Sequence, residues 1–141
     1  MNLNSLIYIL TLFAISQTTI GQTMDEQPDT GKQKIGEKEY EMKTYFMAFL
    51  KRGENWTPET TDEVMKIQEA HLAHIGKMVE DKKLAIAGPF LDDGDLRGIF
   101  IFNTETQEEA EKLCAQDPAV KAGRLEVEIH PWYSAKGSTL P

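Results

Sequence analysis

Two histidines lie three residues apart in the segment IQEAHLAHIGKM, residues 67–78. Apolar residues around them recur at helical spacing, and a helical wheel places His71 near the middle of the apolar arc and His74 at its edge. The other members of the arc are Val64, Ile67, Leu72, Ile75, Met78 and Val79. Because imidazole titrates near neutral pH, His71 is interpreted either as a hydrogen-bonded core residue or as a proton-transfer group. A His-x-x-His pair can also bind a metal, but the spacing alone is a weak signal, and we predict neither a metal nor a cofactor.

The elements that position these histidines are predicted from apolar periodicity and capping residues. Thr60 and Glu63 match a capping box, which predicts that the histidine helix begins there and runs to about Lys82. A second helix is predicted over residues 107–116, capped by Thr104 or Thr106. Strands are predicted over residues 43–50, 84–90, 97–103 and 124–132. The order β-α-β-β-α-β indicates an α+β protein with a ferredoxin-like protomer.

The first and third predicted strands are apolar at both odd and even positions. In the first, one side carries Phe46, Ala48 and Leu50, and the other carries Tyr45, Met47 and Phe49. A strand that is apolar on both faces is normally covered on both faces. Right-handed crossovers place both helices on one face of the sheet, so the other face needs a partner. We therefore expect a homodimer in which two sheets pack face to face.

Composition divides the chain into four parts. Residues 1–21 contain an uncharged apolar run too short to span a bilayer and end in small or polar residues, which is typical of a secretory signal peptide. Residues 22–39 are expected to form a flexible linker, residues 40–134 one small domain, and residues 135–141 a C-terminal tail. The predicted location is secreted or periplasmic, with no membrane association after signal removal. The formal net charge of −8 argues against nucleic-acid binding.

Four segments together resemble the YCII-related (YciI-like) family of the dimeric α+β barrel superfamily. They are AHLAHIGKM at 70–78, LAIAGPF at 84–90, GIFIF at 98–102 and DPAVKAGRLEVEIHPW at 117–132. The resemblance covers about residues 43–133 and depends on the order and spacing of these segments. It implies a ferredoxin-like protomer, a dimer and a His–Asp pair in a cleft. By matching position, that pair is His71 with Asp117, the aspartate before Pro118.

A carboxylate beside an imidazole fixes its tautomer and stabilises the imidazolium, which makes the ring a competent general base. Strand directions place Asp117 at the sheet edge where the first helix begins, whereas His71 lies about 16 Å further along that helix at 1.5 Å per residue. Contact therefore requires the 117–123 turn to dip between the helices. Loops 51–58 and 91–96 converge on the same edge. Arg52 is thus a candidate for binding a substrate carboxylate or phosphate, and Trp56 is a candidate for packing against a ring of the substrate.

Two functions are compatible with these residues, and the sequence leaves both open. One is a small-molecule lyase or isomerase in which His71 exchanges a proton and Asp117 orients the imidazole. The other is a non-catalytic dimeric module that binds a small ligand in the same cleft. For the enzyme, the resemblance implies elimination or dehalogenation of small cyclic substrates, the chemistry with which some family members are associated.

Overall fold

The computed structural model describes residues 31–141, so the predicted signal peptide and the beginning of the predicted linker lie outside the described residues. The elements, in chain order, are β1 (Lys32–Ile35), β2 (Lys38–Arg52), α1 (Asp62–Glu80), β3 (Leu84–Pro89), β4 (Leu96–Phe102), α2 (Gln107–Gln116), α3 (Pro118–Lys121) and β5 (Leu125–Ala135). From β2 onwards the order is the predicted β-α-β-β-α-β, with the short α3 inserted before the last strand. The predicted α+β, ferredoxin-like protomer is confirmed.

The strands form an antiparallel sheet in which β2 is central. On one side β2 pairs with β4, which in turn pairs with β3, and β2 also pairs with β5 along Met42 to Arg52. This arrangement brings the ends of β2, β4 and β5 together at Arg52, Leu96 and Leu125. The loops that leave these ends therefore share one edge of the sheet, as the sequence predicts.

The N-terminal end of the domain differs from the prediction. Lys32 to Ile35 pair with Lys38 to Glu41 in a β-hairpin, and Gly36 has a φ of +63° in its turn. Glycine adopts this left-handed conformation without a steric penalty. Part of the predicted linker, residues 32–39, therefore contains a strand and its turn, and backbone pairing to the extended β2 positions a strand that buries no side chain. The described elements run from Lys32 to Ala135, and the domain bounds 40–134 stay a prediction.

Helix α1 is capped by Thr61, whose hydroxyl accepts a hydrogen bond from the Val64 N–H at 3.2 Å. The predicted cap at Thr60 is thus wrong by one residue. The helix buries a narrower stripe than the apolar arc suggests: His71 and Met78 are buried, whereas Leu72 is 57% and Val79 52% exposed. Each exposed residue follows a buried one, so it is rotated by about 100° onto the flank of the helix.

The helices cover one face of the sheet, where the core lies. This core combines strand residues with the buried sides of α1 and α2, namely Phe46, Ala48, Leu50, Met78, Leu84, Phe100, Phe102, Ala110 and Cys114. On the opposite face, cross-strand pairs join Met47 to Ile101 and Phe49 to Ile99. Among the described residues, none of the helices is long and apolar enough to cross a membrane.

Candidate active site

The site is built around His71, a buried residue near the middle of α1. Its Nδ1–H donates to the carboxylate of Asp117, at 2.9 Å from Oδ1 and 2.8 Å from Oδ2. Asp117 is 1% exposed, so this charge-assisted contact is shielded from water. The structure therefore brings the two predicted catalytic residues into direct contact, although they are 46 positions apart in the sequence.

The chain reaches this geometry by ending one helix and starting another at a single residue. Pro118 disfavours the helical conformation at the residue before it, and Asp117 adopts the extended region with φ −63° and ψ 127°. Its Oδ1 then caps α3 by accepting from the Ala119 N–H at 2.8 Å. Helix α3 contacts α1, so the 117–123 turn dips between the helices as the pairing requires.

A cavity of about 450 Å³ lies against this pair. His71 forms part of its wall, and Phe100 stacks beside the imidazole with ring centroids 6.1 Å apart. Since Nδ1 is engaged by Asp117, Nε2 is the ring nitrogen left for a ligand, and it has no hydrogen-bond partner within residues 31–141. The volume is in the range that holds a small organic molecule.

The predicted substrate contacts occupy different places. Trp56 lines the cavity, whereas Arg52 is absent from its described wall. The Arg52 guanidinium lies 3.9 Å from the centroid of the Trp56 ring and donates to Asp93 at 2.6 Å. Cation–π contact of this kind holds an aromatic ring in place. Arg52 thus supports Trp56, and its role in binding a substrate stays a prediction.

Two further arginines line the cavity that the sequence analysis did not select. Arg97 Nη1 donates to the carbonyls of Asp92 at 3.3 Å and Gly94 at 3.1 Å. Arg124 donates to Thr57, at 3.2 Å to the hydroxyl and 3.0 Å to the carbonyl. Arg124 follows Gly123, whose φ of +68° is a turn signal visible as a glycine in the sequence. The sequence has no comparable signal for Arg97, because plain strand alternation places it on the face opposite the helices.

His74, the other histidine of the pair, has an ordinary structural role. It is half-buried, and its Nε2–H donates to the Leu113 carbonyl at 2.9 Å. Within residues 31–141, no cluster of three or more histidine, cysteine or acidic residues is arranged to hold a metal ion.

A second cavity of about 570 Å³ lies near the start of β5, between that strand and α2. Its charged wall residues are Glu54, Glu111 and Glu126. Cys114 also lines it, and burial, with smaller contributions from Asp117 and Glu111, raises the pKa of this thiol to about 12. A thiol with so high a pKa is a poor nucleophile at neutral pH.

Comparison with known proteins gives a family match and a similar solved structure. The YCII-related domain matches residues 44–133. Among solved structures, the 5-chloro-2-hydroxyhydroquinone dehydrochlorinase of Burkholderia phenoliruptrix AC1100, in complex with 2,5-dihydroxybenzoquinone, is 24% identical, with 62% of this chain and 92% of that chain covered and a TM-score of 0.48. No curated protein matches the chain. Because the family match spans well over half of the sequence, the chain belongs to the YCII-related domain family.

Proposed function

We propose that this protein is a small-molecule lyase or isomerase that uses His71 as a general acid and base. The observation that carries the proposal is the buried contact between His71 Nδ1 and the Asp117 carboxylate at the wall of a ligand-sized cavity. A histidine that served only the core would more simply donate to a backbone carbonyl, as His74 does three residues later.

In this proposal the carboxylate holds the proton on Nδ1, so that the lone pair of Nε2 is free to accept one. Nε2 removes a proton from a substrate carbon next to an electron-withdrawing group, and Asp117 stabilises the imidazolium that forms. In an elimination, the electrons of the broken C–H bond form a double bond while the leaving group departs with its own bonding pair. In an isomerisation, the imidazolium returns the proton to another carbon of the same molecule.

Both reactions begin with proton removal from carbon, so one experiment tests them together. We would incubate the protein in D2O with cyclic hydroxyketones, unsaturated lactones and chlorinated quinols, and follow loss of C–H signals by proton NMR. His71→Gln is expected to abolish exchange, and Asp117→Asn to slow it strongly. His74→Gln is the matched control, since it removes a histidine from the same helix without touching the pair.

The alternative outcome has its own signature. A compound that binds in the cavity but exchanges no proton and forms no product, with the native protein or the variants, would identify a non-catalytic binding module. That result would remove the catalytic proposal and leave the site as a receptor for a small ligand.

We also propose that the protein works as a homodimer joined through the face of the sheet opposite the helices. The support is the apolar character of that face, where Met47 and Phe49 pair with Ile101 and Ile99 across β2 and β4. Nearby, Trp132 is 38% exposed and contacts Tyr45 with ring centroids 6.2 Å apart. Light scattering is expected to give twice the mass of one chain, and Met47→Glu to give monomers. A native protein that remained monomeric would contradict the proposal.

Export is the last part of the proposal, and its support is the apolar, uncharged run within residues 1–21. Expression in a Gram-negative host is expected to yield a processed periplasmic protein that begins near Gln22. N-terminal sequencing of the periplasmic fraction measures this directly. Recovery of only the full-length chain from the cytoplasm would contradict it.

A further inference from the structure

Arg97 reaches the cavity because of an irregularity in the sheet. The ladder between β2 and β4 pairs Leu50 with Gly98 and then Lys51 with Leu96, so Arg97 is one extra residue on β4. Regular alternation would place it with Ile99, on the face opposite the helices. A β-bulge re-aims the side chain of the extra residue, and Arg97 instead lines the same cavity as His71.

The guanidinium of Arg97 is held in place by hydrogen bonds, but some of its N–H donors have no acceptor among the described residues. Its Nη1 is fastened by the carbonyls of Asp92 and Gly94, whereas Nε and Nη2 make no hydrogen bond to any residue in 31–141. Asp93 Oδ1 lies 3.9 Å from Nη1, but the Asp93 side chain is 93% exposed and bonds to Arg52. An exposed carboxylate at this distance neutralises little of the charge. The free Nε–Nη2 edge therefore presents two parallel N–H donors, the arrangement that matches the two oxygens of a carboxylate.

The rest of the cavity wall favours the same ligand. Its charged residues are Arg97 and Arg124, and no aspartate or glutamate is among the described residues that line it, although the chain carries a net charge of −8. Arg124 uses both Nη1 and Nη2 on Asn55 and Thr57, whereas Arg97 uses Nη1 alone, so Arg97 is the arginine with a whole Nε–Nη2 edge to offer. Trp56 and Phe100 supply flat apolar surface on which a ring can pack.

We propose that Arg97 binds the carboxylate of a small, single-ring substrate and so presents the ring to His71. The inference rests on the proposed function, which it deepens by naming the substrate class as cyclic carboxylic acids. The bulge at Arg97 makes this residue the specificity determinant of the cavity.

Benzoate and its neutral isostere benzamide are suitable probes. Calorimetry would measure their binding to the purified protein, whether it is a dimer or a monomer. The native protein is expected to bind benzoate at least about tenfold more tightly than benzamide, because only the carboxylate pairs with the guanidinium. Arg97→Gln should weaken benzoate binding about tenfold or more and leave benzamide binding unchanged. Arg97→Lys should recover part of the loss, since it keeps the charge without the planar fork. Lys83→Gln is the matched control, because it removes one positive charge from a surface pair with Glu109.

Equal affinities of the native protein for benzoate and benzamide, or no binding of either, would overturn the inference, and these measurements need no variant. Benzoate binding that is unchanged in folded Arg97→Gln would also overturn it. The proposed function fails separately. If carboxylate binding depends on Arg97 but no compound exchanges a proton, the anion site is supported and the catalytic proposal is contradicted. If neutral ring compounds exchange protons as fast with Arg97→Gln as with the native protein and Arg97 makes no difference to carboxylate binding, the catalytic proposal is supported and the anion site is contradicted.

Discussion

The two cavities described above meet at the start of β5, where Leu125 contributes to the walls of both. The cavity at His71 is lined by two arginines and aromatic rings, whereas the cavity at Cys114 is lined by three glutamates. In a chain with a net negative charge, a cavity lined by glutamates is the ordinary case, and a cavity lined by arginines is the exception. The contrast shows that the placement of a few cations, and not the net charge of the chain, determines which ligand a cavity suits.

The titratable groups of the two cavities differ in the same way. The imidazole of His71 has a carboxylate partner on one nitrogen and a cavity beside the ring, so it has both an orienting group and room for a substrate. Cys114 also lines a cavity, but its thiol has no hydrogen-bond partner within residues 31–141, and burial raises its pKa to about 12. We therefore expect chemistry in the first cavity and inertness in the second, and four measurements test this difference.

The largest effect is expected from His71→Gln, which removes the general base while keeping a polar side chain in its place. For any substrate identified by proton exchange, kcat should fall roughly 10²- to 10⁴-fold. Glu126→Gln, a neutralisation in the second cavity, is the control and should leave kcat unchanged. Equal losses in the two variants would mean that the cavities are not functionally distinct.

Asp117→Asn should have the next largest effect. The amide oxygen can still accept the Ala119 N–H and cap α3, but the negative charge that stabilises the imidazolium is gone. We expect kcat to fall roughly 100-fold with the fold retained. Nitrogen NMR of the His71 ring should report the native protein with the proton on Nδ1 and the variant with a mixture of tautomers. An unchanged ring spectrum would show that Asp117 does not fix the tautomer.

Gly53→Ala tests the loop that contributes to both cavities, since Gly53 lines the second cavity and Trp56 the first. A Cβ at this position would overlap the carbonyl group of Gly123, so the loop that carries Trp56 must move. The free energy of unfolding should fall by about 1–3 kcal/mol, and the fluorescence of Trp56 should change. Gly76→Ala is the control: it lies on α1 with open space around it and should stabilise the protein by up to about 1 kcal/mol. Unaltered fluorescence in Gly53→Ala would show that the loop accommodates the methyl group without moving the indole.

The smallest effect is expected when Cys114 is challenged with iodoacetamide at pH 8. Because the thiol pKa is raised to about 12, the thiolate fraction at this pH is very small and alkylation of the native protein should be slow. Unfolding in guanidinium should restore ordinary reactivity. Rapid alkylation of the native protein, followed by mass spectrometry, would show that the second cavity holds an accessible and reactive group.

Much of the fold could be predicted because it depends on local periodicity. The apolar spacing around His71 predicted α1, and alternating residues such as Val127 and Ile129 predicted β5. Helix boundaries were less accurate, as Thr61 and not Thr60 caps α1, since two adjacent threonines present the same signal. The hairpin formed by β1 escaped prediction because it buries none of its side chains and is ordered by backbone pairing alone.

The order of the elements and the burial of His71 could be predicted from the amino-acid sequence, and the family resemblance predicted its pairing with Asp117. These features depend on periodicity and on a proline that dictates the conformation of the residue before it. The position of Arg97 at the cavity and the stacking of Arg52 on Trp56 became visible in the three-dimensional structure. One extra residue in a ladder reverses the face to which a side chain points, and such a shift depends on how two strands meet rather than on the composition of either.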